Sequence, residues 1–297
     1  MEFRLLEYFL AVAREQNITA AAESLHISQP ALSTQLKNME DELGKQLLIR
    51  GVKGSRKVIL TEEGMILRKR AEEMLLLMRR TEEEITGSNE TIAGNVFIGT
   101  GETETVRLFA KVAKKLQQKY PDIRYNISSG NAEHVLEYLD KGIIDFGLLF
   151  TEIDAQKYEA IPVPIKDTWG VLMRKDSPLA EKETICPEDL WNKPLIVSHQ
   201  KGDDVYLNQW LQREESELHI VATYNLLFNA SLLVNEGLGY ALCYDKLINT
   251  KGSNLCFRPF SPRLEAHGFI VWKKYQVFSK AANIFLQYLR EMLETDE

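Results

Sequence analysis

Between Phe3 and Glu15 the apolar positions Leu6, Phe9, Leu10, Val12 and Ala13 fall on one face of a helix. Asn17 and Thr19 offer capping side chains ahead of a second short helix, AAAESLH. Its alanines Ala20, Ala21 and Ala22 let a third helix pack close to it. Ile27-Ser28 forms the turn, Ser28 caps the third helix, and Pro30 sits in the first turn, where a missing N–H costs nothing. Leu32, Leu36, Met39 and Leu43 follow at spacings of four, three and four, predicting a buried stripe. Gln29, Ser33, Thr34 and Lys37 lie off that stripe, clustered at the helix start. Such groups can address base edges in a major groove, while the positive helix end favours phosphate. The same pattern also suits a plain helix pair with a polar outer face.

The next segment, GSRKVILTEEG, places a Gly54-Ser55 turn before the strand-like run Val58 to Leu60. This predicts a β-wing with Arg56 and Lys57 placed for phosphates. Thr61 caps a long helix, and Glu62 and Glu63 suit its positive end. Along that helix Leu67, Ala71, Met74, Met78, Thr81 and Ile85 alternate at spacings of four and three. A seam of this kind predicts a dimeric coiled coil more than burial in its own domain. TGSNETIAG, from Thr86 to Gly94, has the composition of a linker.

From Asn95 the pattern changes. NVFIGT, IRYNISS, DFGLLF, WGVLMR, PLIVSH, GYALCY and HGFIVWKK are strand-like, and helix-length segments separate several of them. The alternation predicts parallel sheets with crossover helices, and about 200 residues suit two small α/β lobes. Ligands in such folds bind at the C-terminal ends of strands, beside helix N-termini.

Net charge is −7 over 297 residues, which by itself disfavours nucleic acid. The distribution changes that picture. Residues 1–60 hold eight Lys/Arg against seven Asp/Glu, so the rest of the chain carries −8. GKQLLIRGVKGSRK contains Lys45, Arg50, Lys53, Arg56 and Lys57 and no acid, a local stripe compatible with DNA contact. The three cysteines, Cys186, Cys243 and Cys256, are widely spaced and form no CxxC pair, so inert thiols are expected. The five histidines make no HxxxH or HExxH pattern, and no metal or other cofactor is expected. MEFRLLEYFLAVAREQ lacks the order of a signal peptide and no apolar run reaches spanning length, so a cytoplasmic protein without membrane contact is expected.

The stretch FLAVAREQNITAAAESLHISQPALSTQLKNMEDELGKQLLIR, the wing ending in LTEEG and the α/β remainder with VNEGLGYAL resemble the LysR-type transcriptional regulators. The resemblance covers the whole chain and is most specific from Phe9 to Gly64. It implies a multidomain protein: a mostly α winged helix-turn-helix (1–60), a long dimerising linker helix (61–90), and a two-lobed α/β effector domain similar to periplasmic binding proteins (91–297). Lobe I would comprise about 91–161 and 265–297, and lobe II about 162–264. The implied partners are double-stranded DNA, a second copy in a dimer or homotetramer, a small metabolite between the lobes, and RNA polymerase. By this likeness the helix-turn-helix spans Ile18 to Lys37. Its DNA-facing residues would be Ile18, Thr19, Ser28, Gln29, Pro30, Ser33, Thr34 and Lys37, with Arg50, Lys53, Arg56 and Lys57 from the wing. Thr34 stands where many members have Arg, and ALCYDKL departs from the family's usual run ending in Leu-Pro.

On the two-lobe reading four stretches converge on a cleft. The candidate effector residues are Thr100, Gly101, Glu102 and Thr103; Ser128 and Ser129; Phe150 and Thr151; and Ser198 with Thr223 and Asn225 opposite. Hydroxyls beside helix N–H groups can hold a carboxylate or phosphate, which points to an anionic metabolite. Glu102 and Glu104 would repel an anion, so a zwitterion or amine stays open. Ordinary loop capping accounts for each position equally well. Two other classes compete: a ligand sensor whose N-terminal helices serve only oligomerisation, and an α/β enzyme. The polar display of Gln29 and Ser33 opposes the first. No Gly-x-Ser-x-Gly elbow, P-loop or paired metal ligands support the second.

Overall fold

A computed structural model describes residues 2–51, 57–86, 92–198 and 204–295. Lys53, Arg56, the Gly54-Ser55 turn, most of the linker and His199 to Asp203 lie outside the described residues. The chain forms two compact units, Met1–Thr86 and Gly87–Glu297.

The first unit comprises α1 (Phe3–Glu15), α2 (Ile18–Ser24), α3 (Gln29–Leu43), the antiparallel pair β1 (Leu48–Arg50) and β2 (Val58–Leu60), and α4 (Glu62–Thr86). Asn17 caps α2 by accepting from the Thr19 and Ala20 N–H groups at 2.9 and 3.3 Å. Ser28 caps α3 through the Ala31 N–H at 3.4 Å, with Pro30 in the first turn. Phe9, Val12, Ala21, Ala22, Leu32, Leu36 and Met39 close a small core with Leu48 and Val58 of the wing. Leu43, expected in that core, is 42% exposed, because the last turn of α3 runs past the edge of so small a domain.

The start of α4 is fastened to the wing. Thr61 donates its N–H to the Leu47 carbonyl and its hydroxyl to the Gln46 carbonyl, and its Oγ1 accepts from the Gly64 N–H at 2.9 Å. A Cβ on Gly64 would lie 2.2 Å from the Leu47 oxygen, so only glycine permits this approach. The apolar seam of α4 differs from expectation. Ala71 and Leu75 are buried against Leu6 of α1, with Leu67, Met74 and Met78 packed beside them. The seam therefore serves the domain's own packing over its first half, while Ile85 near its end is 78% exposed.

The second unit is built on a nine-stranded sheet among the described residues. Lobe I contains β3 (Gly94–Thr100), α5 (Val106–Gln117), β4 (Ile123–Ser129), α6 (Ala132–Asp140), β5 (Phe146–Leu149) and the C-terminal α9 (Lys280–Thr295). Lobe II contains β7 (Leu195–Ser198), α7 (Asp204–Leu211), β8 (Ile220–Tyr224), α8 (Leu227–Asn235), β9 (Tyr240–Tyr244) and β10 (Leu255–Pro259). Two long antiparallel strands, β6 (Tyr158–Arg174) and β11 (Glu265–Lys273), run through both lobes in the order β4-β3-β5-β11-β6-β9-β7-β8. The lobes are mixed rather than purely parallel. β3 pairs in parallel with β4 and β5, and β7 with β8 and β9, but every contact of β6 and β11 is antiparallel.

Each lobe has its own core. Val163, Ile270 and Trp272 belong to the first with Phe146, Phe285 and Leu289; Trp169 and Val171 belong to the second with Leu195, Trp210 and Leu242. The change from one core to the other falls between Ile165 and Trp169 on β6 and between Ala266 and Ile270 on β11. A β-bulge interrupts β11 at that point, between His267 and Phe269.

Candidate nucleic-acid and effector sites

The N-terminal turns of α3 present a polar, solvent-facing surface. Ser28, Gln29, Pro30, Thr34 and Lys37 are exposed, and Ser33 is half-buried. Gln29 Nε2 donates to Ser33 Oγ at 2.8 Å, so these two side chains satisfy one another at the surface. Thr34 turns its hydroxyl back to the Pro30 carbonyl at 2.9 Å. Thr19 is half-buried, and Ile18 is half-buried against the domain core, so its side chain supports α2 rather than facing outward. On the wing, Lys57 is exposed, while Arg50 pairs with Glu40 at 3.3 Å. The other oxygen of Glu40 accepts from the Leu47 and Leu48 N–H groups at 2.8 and 2.9 Å, tying β1 to the end of α3.

In the second unit Thr100 and Ser129 are paired neighbours at the C-terminal edge of β3 and β4, as are Gly99 and Ser128. Ser128 is half-buried and Ser129 exposed. In lobe II Ser198 pairs with Tyr224 and Thr223 with Val197; Thr223 and Asn225 are exposed. Several expected ligand groups are turned to internal partners instead. Thr100 is buried and donates to the Gly101 carbonyl at 2.9 Å. Glu102 accepts from the Leu227 N–H at the first turn of α8, a helix with no side-chain cap of its own. Thr103 donates to Asp167 Oδ2 and accepts from the Thr105 N–H at 2.9 Å, leaving its hydroxyl committed. Thr105 adds a second hydroxyl to the same carboxylate at 3.2 Å, and the Glu104 N–H a third donor. Burial pushes the Asp167 carboxyl above the usual aspartate range, against these three bonds, which favour the charged form.

Phe150 and Thr151 occupy a different setting. They line a cavity of about 840 Å³ between the loop that follows β5, the bulged part of β11 and the start of α7. Trp169, Leu264, Ala266 and Phe269 supply apolar walls, and Tyr206 contributes from α7. Phe150 lies 5.8 Å from the ring of Tyr244, which in turn lies 4.5 Å from that of Trp169. Gly268 leaves room for the Phe150 ring: a Cβ there would meet it at 3.1 Å, close enough that the ring would have to give by a few tenths of an ångström. Glu152, Glu159, Glu265 and Lys274 carry the charge around the cavity, and His267 also lines it. Burial, helped by a hydrogen bond with Asp140, pushes the Tyr158 phenol in the wall up to about 12, so it stays neutral at ordinary pH.

Asp167, Trp169, Tyr206 and the Leu264–Phe269 segment were not legible as site residues. Asp167 sits in β6 two residues ahead of the strand-like run WGVLMR, in a stretch whose mixed pattern gives neither a strand nor its lobe crossing. HGFIVWKK gives a strand but not the bulge that turns its side chains.

This is a winged helix-turn-helix unit joined to a two-lobed α/β module with an open cavity. Residues 3–65 match the family of bacterial regulatory helix-turn-helix proteins of the lysR type, and residues 89–294 match the LysR substrate binding domain. The HTH-type transcriptional regulator BsdA of Bacillus subtilis (strain 168) is 37% identical over 82% of this chain and 83% of its own length. The hydrogen peroxide-inducible genes activator of Escherichia coli O157:H7 is 32% identical over 66% of this chain and 63% of that protein. The crystal structure of full-length CbnR complexed with its target DNA is 19% identical, with a TM-score of 0.76 over 98% of this chain and 99% of that one. The chain belongs to the LysR family and is a DNA-binding transcriptional regulator with an effector-binding domain. No helix among the described residues is long and apolar enough to cross a membrane.

Proposed function

We propose that this regulator reads its operator through the N-terminal turns of α3 and answers to a small molecule held between the two lobes. The observation that carries the first half is the exposed Gln29–Ser33 pair. Both side chains are satisfied at little cost by each other and are free to exchange that bond for base edges. Ser28, Pro30, Thr34 and Lys37 flank them, Thr19 contributes from α2, and Arg50 and Lys57 neutralise phosphates from the wing, with Lys53 and Arg56 between them in sequence. Chains pair along α4, where exposed Met65, Ile66 and Ile85 leave apolar surface. Pairing of this kind suits an operator with two related half-sites.

The likeness to a peroxide-inducible activator raises a thiol-based response as a second reading; two of the three thiols argue against it, and the third, Cys186, is half-buried. Cys243 and Cys256 are buried, and burial pushes both above the usual thiol range, which keeps them protonated and poorly nucleophilic. Treatment with peroxide is therefore expected to leave operator affinity unchanged; a reversible loss or gain, abolished by Cys→Ser changes, would restore the redox reading.

The deciding experiment is selection of genomic fragments by the purified protein, followed by footprinting. Discrete protection over two related half-sites supports the operator reading. Uniform, salt-sensitive coating of all fragments would show that α3 does not read sequence.

A further inference from the structure

We propose that the effector of this regulator is an organic cation, an amine carried on an aromatic or similarly flat apolar body, and that it sits in the cavity between Phe150 and Trp169. The inference rests on the effector-cleft reading above and names the chemistry of that site.

Two observations converge. The first concerns where an anion would go. In a fold of this kind the natural places for a ligand carboxylate are helix N-termini and the hydroxyl-rich turn after β3. The N-terminus of α8 and that turn already hold an acid from the chain itself. Glu102 caps α8 through the Leu227 N–H, and Asp167 takes the Thr103 and Thr105 hydroxyls together with the Glu104 N–H. An anionic effector would have to expel a carboxylate to reach either set of donors.

The second observation concerns the cavity. Its walls are aromatic and aliphatic, and its volume of about 840 Å³ suits a small organic molecule. Its charged groups favour a cation. Glu152 and Glu159 make no ion pair among the described residues. Glu265 is shared between Lys166 and Arg263 at 3.0 and 3.3 Å. Lys274 donates to the Ala155 carbonyl at 2.6 Å and keeps its charge, so the acids lining the cavity outnumber its lysine three to one, and His267 is exposed on the bulge. Aromatic faces attract a cation more strongly once it is partly desolvated, so the Phe150, Trp169 and Tyr206 rings add to the two acids.

The test uses the full-length protein and a matched pair of probes, tryptamine and indole-3-propionate, which share the ring and differ in the sign of the charged end. Thermal unfolding is followed at increasing probe concentration, and operator retention is measured on the same samples. A ligand that binds only the folded state raises the melting temperature with the logarithm of its concentration once that exceeds Kd. The expected result is stabilisation by tryptamine and none by indole-3-propionate. Combined Glu152→Gln and Glu159→Gln changes, both at the exposed rim, should weaken tryptamine about tenfold, the sum of two exposed charge contacts. Ala266→Trp, which fills the cavity, should abolish the response; the rim variants decide the matter if that variant fails to fold.

Stabilisation by indole-3-propionate alone would overturn the cationic class and leave the cleft reading standing. No stabilisation by either probe at about 5 mM, with operator retention intact, would overturn the cavity as the effector site while the regulator reading survives. A tryptamine response unaffected by the rim variants would overturn the role given to Glu152 and Glu159.

Discussion

The start of α3 and the turn between β3 and α5 look alike in sequence, and the fold treats them in opposite ways. Both place hydroxyl and amide or carboxyl side chains at the first turn of a helix: SQPALST in one, TGETET in the other. At α3 the polar groups face solvent, and the Gln29–Ser33 bond is a local exchange that a base edge can replace. At the β3–α5 turn Thr103 and Thr105 are buried and close on Asp167, a residue more than sixty positions away. The first turn is available for recognition. The second is spent on holding the lobes' crossover strand. Helix N-termini rich in Ser and Thr therefore mark a capacity to bind anions, and only the tertiary partner decides whether that capacity is free.

The comparison can be broken most forcefully at Thr103. Thr103→Val removes a hydroxyl that donates to a buried carboxylate and accepts from the Thr105 N–H. Loss of a bond to a charged, buried acceptor is expected to cost about 1.5–3 kcal/mol of effector-domain stability, read from urea unfolding. Sequence preference on DNA should not change. Next comes Gln29→Ala at the other turn. It should leave stability within error and reduce discrimination between operator and random DNA by about 1–3 kcal/mol, measured by competition binding. Equal losses on both DNAs would remove Gln29 from base reading.

The helix-turn-helix was legible because its signals are local. Asn17, Ser28 and Pro30 act on the backbone next to them, and the spacing of Leu32, Leu36 and Met39 reports their burial directly. Lobe strands β3, β4, β5, β7 and β9 were legible for the same reason, as short apolar runs. β8, β10 and the first half of β6 were not, since each has a mixed pattern completed by neighbours distant in sequence. The C-terminal helix α9 also carries a local signal: Ala281, Phe285, Leu289 and Leu293 recur every four residues and are buried. Of the cavity, only Phe150 and Thr151 were anticipated. Trp169 and Phe269 reach it because β6 and β11 cross between lobes and β11 bulges, which no local pattern encodes.

A smaller effect is expected at Glu102, whose carboxylate caps α8 across the lobes. Glu102→Gln keeps an oxygen that can accept from the Leu227 N–H and removes the charge. The loss is then the charge–helix contribution alone, about 0.3–1 kcal/mol. If Glu102 also shields α8 from anions, the same variant should begin to respond to indole-3-propionate in thermal unfolding. A variant that loses stability but gains no such response would confine Glu102 to capping.

The smallest effect is the pH dependence at Asp167, where burial and hydrogen bonding act in opposite directions. Burial raises the carboxyl's pKa, and the Thr103, Thr105 and Glu104 donors lower it, with burial prevailing. The folded value therefore lies above that of the unfolded chain, which is about 3.9. Below the unfolded value both states are protonated and the carboxyl's stabilising contribution is fully present. As pH rises the unfolded chain ionises first, the folded state holds the extra proton, and stability falls until the folded carboxyl has ionised too. Asp167→Asn mimics the protonated form at every pH. Urea unfolding of both proteins should then show the wild type losing ground to the variant as pH rises from about 4, with a constant difference once the folded carboxyl has ionised. If the wild type gains on the variant over that range, the three donors outweigh burial, and the β3–α5 turn is a true anion site that Asp167 happens to fill. An anionic effector able to displace that side chain would then become the better reading of the cleft.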